Sequence, residues 1–446
     1  MIGDRPVRDG SARNLLRLTT VLVVAVVAGL SGCADDEPGP AELTFAFGPD
    51  ESETLGPIIE TFNETNEFDI TVEWREMPRE SDAYFAVLSD ELQAGDSDID
   101  VFGADVIWTG ELAENGLVTD LTTRAREEYD PAQFVSAARL SATYRQRTYG
   151  IPWYTDAGVL LYRADLLADA GYDAPPGTWD ELREMASTVM DATEVPAGFV
   201  FQGADYEGGV ANLLEHIWSF GGRVLTTQAS VAGSFGESVM APNVIVINSA
   251  RTAEGLDHAR SLVEDGIAPR EVTAFREVES DEVFAAGDAV FLRSWPLAVA
   301  IATAGDLEPD QVGAAALPVA REGDPAFSTL GGWNLMIADG TEDEAAAWEF
   351  IRYMAAEEQQ RIRARDGAFL PTLEALYADE SLAAEQPVLA VGREAVENAR
   401  IRPVSPRYSE ISPVLAAGFQ AALLGEEDGA TLAARLQREL EAVVGS

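Results

Sequence analysis

The chain has 446 residues, 47% of them hydrophobic, with eight tryptophans and a single cysteine. That composition is globular and too long for one compact core, so two domains are expected, and one thiol excludes an internal disulfide. Acidic residues number 77 against 30 basic ones, every one of them arginine, for a formal net charge of −47; such a surface repels nucleic acid and anionic headgroups, so neither is an expected partner.

Arg5, Arg8, Arg13 and Arg17 open the chain as a positive leader, and Leu18 to Leu30 follow as an apolar run of 13 residues. That run is too short to cross a hydrocarbon layer of about 30 Å. With Leu30-Ser31-Gly32-Cys33 behind it, residues 1–32 read as a lipoprotein signal peptide. Cleavage before Cys33 and lipidation of its thiol would leave the chain anchored to the outer face of the cell membrane. Residues 33–41 read as a flexible tether, acidic and punctuated by Pro38, Gly39 and Pro40.

Structure begins at Leu43–Phe47, an alternating β-prone run. A helix follows with Leu55, Ile58, Ile59 and Phe62 on one face. Phe68–Trp74 alternates again, a helix from Ser81 carries Tyr84, Phe85, Leu88 and Leu92, and Asp100-Val101-Phe102 is a short buried strand. This rhythm predicts a parallel sheet flanked by helices. Further helices are expected at Asp180–Met190 behind a Thr178-Trp179 cap, at Val210–Phe220 ending on Gly221-Gly222, at Glu344–Met354 and at Thr431–Val444. No repeat and no low-complexity linker interrupts residues 41–446, so the two lobes are expected to be discontinuous in sequence. The acids are spread along the chain rather than gathered in a run, which suits a high-salt habitat where screening acts over a few ångströms.

Catalytic patterns are sparse. His216 and His258 both fall inside helical patterns, as packing or surface residues, and no Ser/His/Asp arrangement accompanies them. Asp96-Ser97-Asp98-Ile99-Asp100 starts like a calcium loop but has Val101 at its sixth position and Ile107 at its twelfth, where glycine and glutamate belong. Neither a metal nor any cofactor is expected. What stands out is a set of aromatic residues beside short polar groups in strand-end loops. They are Asp105-Val106-Ile107-Trp108, Trp153-Tyr154-Thr155-Asp156, Tyr206-Glu207-Gly208, Arg293-Ser294-Trp295-Pro296 and Gly331-Gly332-Trp333-Asn334, joined by Arg402-Pro403. Sugars suit this mixture: their C–H faces lie on aromatic rings, and their hydroxyls bond to carboxylates and arginine. Strand-end loops are also where α/β folds bind ligands.

In these segments the chain resembles the extracellular solute-binding proteins of ABC importers, family 1, sugar type, and most of all their trehalose/maltose-binding lipoproteins. Ile151-Pro152 before Trp153, Tyr162-Arg163-Ala164-Asp165-Leu166-Leu167, Gln202-Gly203 and Leu330 extend the likeness. The resemblance implies an α/β, two-lobe periplasmic-binding-protein-like fold of type II, with a hinge and an interlobe cleft. Lobe 1 is expected at 42–153 and 331–362, and lobe 2 at 154–330 and 363–446. It implies that Glu51, Asp105 and Asp156 accept sugar hydroxyls, that Tyr154, Trp295 and Trp333 stack on sugar rings, that the Gly331-Gly332 backbone approaches the ligand, and that Arg402 donates to sugar oxygens. Tyr206, Glu207 and Trp108 are expected to shape the pocket. Tyr84 and Phe85 stand where related proteins carry an arginine on the second helix, and Arg79 is a nearby substitute. The implied function is capture of an oligosaccharide, an α-glucoside such as trehalose or maltose, by a monomer that hands it to a membrane permease and does no chemistry. A secreted glycoside hydrolase with paired carboxylates and a binding protein for a cationic solute are the alternatives.

Overall fold

The computed structural model describes residues 38–50, 52–95, 97–226, 230–231, 238–239 and 244–445. The leader, Cys33, most of the tether, Glu51 and Asp96 lie outside these residues.

Two sheets organise the chain. Their strands, in chain order, are β1 (Ala41–Phe47), β2 (Ile70–Glu76), β3 (Val101–Asp105), β4 (Ile151–Ala157), β5 (Val159–Arg163), β6 (Ala197–Val200), β7 (Ala289–Ser294), β8 (Val312–Ala315), β9 (Ser328–Ile337), β10 (Leu370–Pro371) and β11 (Ala399–Arg400). The first sheet is ordered β10-β4-β9-β3-β1-β2, with β11 beside β9. The second is ordered β8-β5-β7-β6.

As expected, β1 runs parallel to both β2 and β3. The first sheet is nevertheless mixed, because β9 runs antiparallel to β3 and β4. The strand–helix–strand rhythm governs only the first three strands. β9 arrives from the second sheet in the opposite direction, which local sequence does not encode. The second strand also starts two residues later than its alternation suggests, at Ile70.

The principal helices are α1 (Leu55–Thr65), α2 (Ser81–Ala94), α3 (Trp179–Ala192), α4 (Glu207–Ser219), α5 (Ala250–Glu264), α6 (Glu277–Ala285), α7 (Leu297–Ala304), α8 (Glu344–Met354), α9 (Glu357–Gly367), α10 (Tyr408–Leu423) and α11 (Gly429–Gly445). α1 buries Leu55, Ile58, Ile59 and Phe62, the stripe its periodicity gives. α3 starts with a capping box: Thr178 Oγ1 accepts from the Glu181 N–H at 3.2 Å, and the Thr178 N–H donates to Glu181 Oε2 at 3.0 Å. α4 ends at Ser219 with Phe220 as its cap, and the next residue, Gly221, has a φ of +82° in the left-handed region glycine favours. α10 packs on α4 and α5, and α11 on α5 and α10, so the C-terminal helices join the second sheet's side. His216 and His258 sit in that helical layer among Trp179, Phe220 and Phe419, as packing residues.

The chain crosses between sheets at Gly158, between β4 and β5. A Cβ there would overlap the Glu215 carboxylate and the Arg293 guanidinium, which pair beneath it. The expected lobe boundaries at 153/154, 330/331 and 362/363 fall inside β4, β9 and α9.

Candidate binding cleft between the two sheets

A cleft of about 510 Å³ opens where the strand ends of both sheets converge. On the first sheet, the pairing places Asp105, Trp333 and Tyr154 side by side on three neighbouring strands, β3, β9 and β4. A register shift between Trp333 and Asn334 interrupts the β9–β4 ladder. Such an irregularity re-aims side chains, and all three residues border the cleft.

Trp333 is held from behind. Its ring lies nearly parallel to Tyr84, centroids 5.6 Å apart, and meets Trp108 and Phe47 edge-on at 5.2 and 5.0 Å. Tyr84 is fully buried and donates to the Ala46 carbonyl at 2.8 Å. Tyr84 thus braces a platform instead of facing the cleft, while Arg79 does line it. Trp108 also lies behind Trp333, buried, and shapes the cleft at one remove. Across the cleft, Trp295 follows the end of β7. The Arg293 guanidinium sits 4.3 Å from its ring centroid, fixed in turn by Glu215 at 2.6 and 2.7 Å and by Gln202 at 3.0 Å. Trp295 Nε1 donates to Glu277 at 3.4 Å.

Arg402, Asp105 and Glu207 form a buried ionic network. Arg402 Nη2 donates to Asp105 Oδ1 at 2.9 Å, and Nη1 to Glu207 Oε1 at 2.7 Å. Ser81 Oγ donates to the other Asp105 oxygen at 2.7 Å, and Tyr408 and Ser412 donate to Glu207. Burial alone would lower the Arg402 pKa, but the two carboxylates raise it above its ordinary value. Burial raises that of Glu207 against the pull of Arg402. Asp105 ends β3 and Glu207 opens α4, so the network ties one sheet's side to the other. Glu207 and Glu277 both sit in first helical turns, where the helix dipole favours negative charge. At the mouth, Arg276 reaches Glu80 at 3.1 Å, a second link between the sides.

The expected residues that fall among the described ones gather at the cleft or, for Trp108, behind it. Asp105 and Arg402, expected to bond sugar oxygens, both line the cleft and share one hydrogen bond, while Arg402 Nε keeps no partner among the described residues. Gly331 and Gly332 were expected to make room for ligand. The contacts give a different reason: a Cβ on Gly331 would lie 3.0 Å from both the Trp295 ring and Asp156, and one on Gly332, with φ +107°, 2.5 Å from the Thr155 backbone. The glycines let β4 and Trp295 approach β9. Asp156 borders the cleft and accepts from its neighbour's N–H, Ala157, at 3.2 Å; burial pushes its carboxyl up to about 8. Tyr206 donates to Glu277 at 2.5 Å.

Several lining residues escaped the sequence reading: Asp50, Glu277, Asp281, Arg363 and Phe369. Burial, reinforced by Glu277, pushes Asp281 up to about 8 although Ser294 donates to it at 2.8 Å. Among the described residues, no cluster of three or more His, Cys, Asp or Glu could hold a metal ion.

Residues 48–361 match the family model for bacterial extracellular solute-binding protein. The chain belongs to that family. A probable ABC transporter-binding protein of Deinococcus radiodurans is 33% identical over 364 residues, 79% of this chain and 82% of that one. A maltose-bound MalE3 of T. maritima superposes with a TM-score of 0.80 at 33% identity, covering 90% of this chain and all of the other. The GacH receptor of Streptomyces glaucescens, at 20% identity and TM-score 0.78 over 91% of this chain and 99% of its own, shares the fold. The solute-binding protein therefore has the two-lobe type II architecture expected of it. Its family acts outside the cytoplasm and binds solutes rather than transforming them.

Proposed function

We propose that this solute-binding protein captures a neutral oligosaccharide, an α-glucoside such as maltose or trehalose, between its lobes and delivers it to an ABC importer permease. The observation that carries this reading is the pair of braced tryptophans, Trp333 from the first sheet and Trp295 from the second, bordering one cleft amid carboxylates. Rings held rigid from behind offer stacking surfaces at little entropic cost, and Asp156 and Glu277 supply partners for hydroxyls. Likeness to a maltose-bound protein at 33% identity supports the same ligand class.

The lobes are cut where strands end. Lobe 1 holds the seven-stranded sheet with α1, α2, α8 and α9. Lobe 2 holds the four-stranded sheet with α3 to α7, α10 and α11. Gly158 is one crossing between them. Ligand bridging the lobes shifts their population toward a closed form, which the permease recognises. The protein works as a monomer, anchored by lipid on Cys33.

A thermal-shift panel of maltose, trehalose, glucose and a polyamine tests the reading, because only a ligand of the native state raises Tm. Stabilisation by a glucoside disaccharide is expected. Stabilisation by the polyamine alone, or release of glucose from maltose at enzymatic rates, overturns it.

A further inference from the structure

Arg363, on α9, is only 2% exposed yet lines the cleft. Its guanidinium carbon lies 4.0 Å from the Trp153 ring centroid, 4.3 Å from Phe369 and 4.7 Å from Tyr154. Buried arginines ordinarily reach carboxylates, as Arg293 and Arg402 do here. Arg363 has no such partner among the described residues, and its Nε and Nη1 find no acceptor. Burying unsatisfied donors costs of order 1–3 kcal/mol each. Both atoms are shut off from water among the Trp153, Tyr154 and Phe369 rings, so a ligand completes them by drawing the guanidinium a short way out toward the cleft it borders. The nearby carboxylate, Asp50, is already engaged by Ser52 and by the backbone N–H groups of Leu55 and Gly56.

The rings around it are continuous with the platform already described. Trp333 meets Phe47 at 5.0 Å, Phe47 meets Tyr154 at 6.4 Å, and Tyr154 meets Phe369 at 4.7 Å. An aromatic arc thus runs along the first-sheet side of the cleft and ends at a fork of free donors.

We propose that Arg363, with Tyr154 and Phe369, forms a further ligand subsite that receives neutral hydroxyl or ring oxygens of a sugar unit through Nε–H and Nη1–H. The inference rests on the sugar reading above. Neutral oxygens are favoured over a carboxylate because acidic side chains outnumber arginines around the cleft, so an anion would meet net repulsion. Burial lowers the Arg363 pKa to about 10, which leaves it charged at neutral pH and sharpens its need for acceptors.

The test uses the full mature chain titrated with maltose and trehalose. R363Q is expected to weaken binding of the preferred disaccharide at least tenfold, and R363K by less, since lysine keeps the charge but not the planar fork. Because both changes touch a buried position, a second measurement uses the wild-type protein. The Arg363 Nε–H resonance, assigned by its loss in R363K, is expected to shift on saturation with disaccharide. Unchanged affinity in R363Q, or an unmoved resonance at saturation, overturns the subsite. Tighter binding of maltobionate than of maltose, lost in R363Q, overturns the choice of neutral oxygens. A wild-type protein that binds no neutral sugar sinks the subsite together with the sugar reading, whereas intact binding with an indifferent Arg363 sinks the subsite alone.

Discussion

Arg402 Nη2 donates to Asp105 Oδ1 at 2.9 Å, with both side chains at least nine-tenths buried. Glu207 accepts from the same guanidinium, so one cation holds two carboxylates that belong to opposite sides of the cleft. Removing a single partner from such a network leaves uncompensated buried charge, which costs about 3–5 kcal/mol. R402M should therefore lower unfolding free energy by about 3 kcal/mol, read from the urea midpoint at constant slope. R402M paired with D105N and E207Q should recover much of that loss. A midpoint equal to wild type in R402M alone would show the network to be energetically idle.

The tryptophans should behave differently from each other and from Arg402. Trp295 is braced by Arg293 and Trp333 by Tyr84, Trp108 and Phe47. W295A or W333A should weaken sugar binding at least tenfold, about 1.4 kcal/mol, in a calorimetric titration. W333A should also lower Tm, because it opens a hole beside Tyr84 and Trp108, whereas Trp295 lies between a cation and the cleft. Wild-type affinity in both variants would remove the stacking assignment.

Much of this geometry is legible in the sequence, and the part that is not has a physical cause. Trp333, Tyr154 and Asp105 stand out as aromatics set beside short polar residues, although only Asp105 ends its strand; Trp333 and Tyr154 lie inside β9 and β4 rather than in the strand-end loops expected of them. That Asp105 and Arg402 pair is invisible to a linear reading, since the two sit far apart in the chain and meet only through β9 and β11. Arg363 and Glu277 read as ordinary helix-face charges; only the tertiary placement of α9 and α6 turns them toward the cleft. The direction of β9 is hidden for the same reason, because it is set by a return from the second sheet. Gly331 and Gly332 are recognisable as a close approach, but which atoms approach depends on the register with β4.

Gly332 gives a sharp test of that register. Its φ of +107° is outside the range side chains tolerate, and an added Cβ would lie 2.5 Å from Thr155 Cα and the Tyr154 carbonyl oxygen. Strain of about 1–3 kcal/mol from the backbone alone is expected, with the overlap added. G332A should lower Tm markedly and weaken ligand binding, since β9 carries Trp333 in the next position. G340A, at another positive-φ glycine with open space around it, provides the comparison: backbone strain without overlap and without loss of binding. Equal Tm values for the two variants would contradict the packing account of Gly332.

Asp281 links the cleft to pH. Burial, with Glu277 adding to it, raises its carboxyl from an ordinary value near 3.8 to about 8, against the opposing influence of Ser294 and Arg293. A folded-state pKa above the unfolded one means the native state holds the proton more tightly. The stabilisation is therefore fully present below about pH 4 and is lost as pH rises through about 8. An asparagine at this position would stay neutral throughout while still accepting from Ser294. D281N should thus match wild type near about pH 4–5 and exceed it in Tm by a margin that grows between about pH 5 and 9. Asp156, raised to about 8 chiefly by burial, adds the same trend, so D156N with D281N should flatten the profile further. His216 works in the opposite sense on the acid side. Burial among aromatic rings lowers its pKa to about 3, so the unfolded chain takes the proton first and stability falls as pH drops from about 6.5 toward 3. Parallel Tm profiles for wild type and D281N from about pH 5 to 9 would mean that Asp281 is ionised in the folded protein across that range.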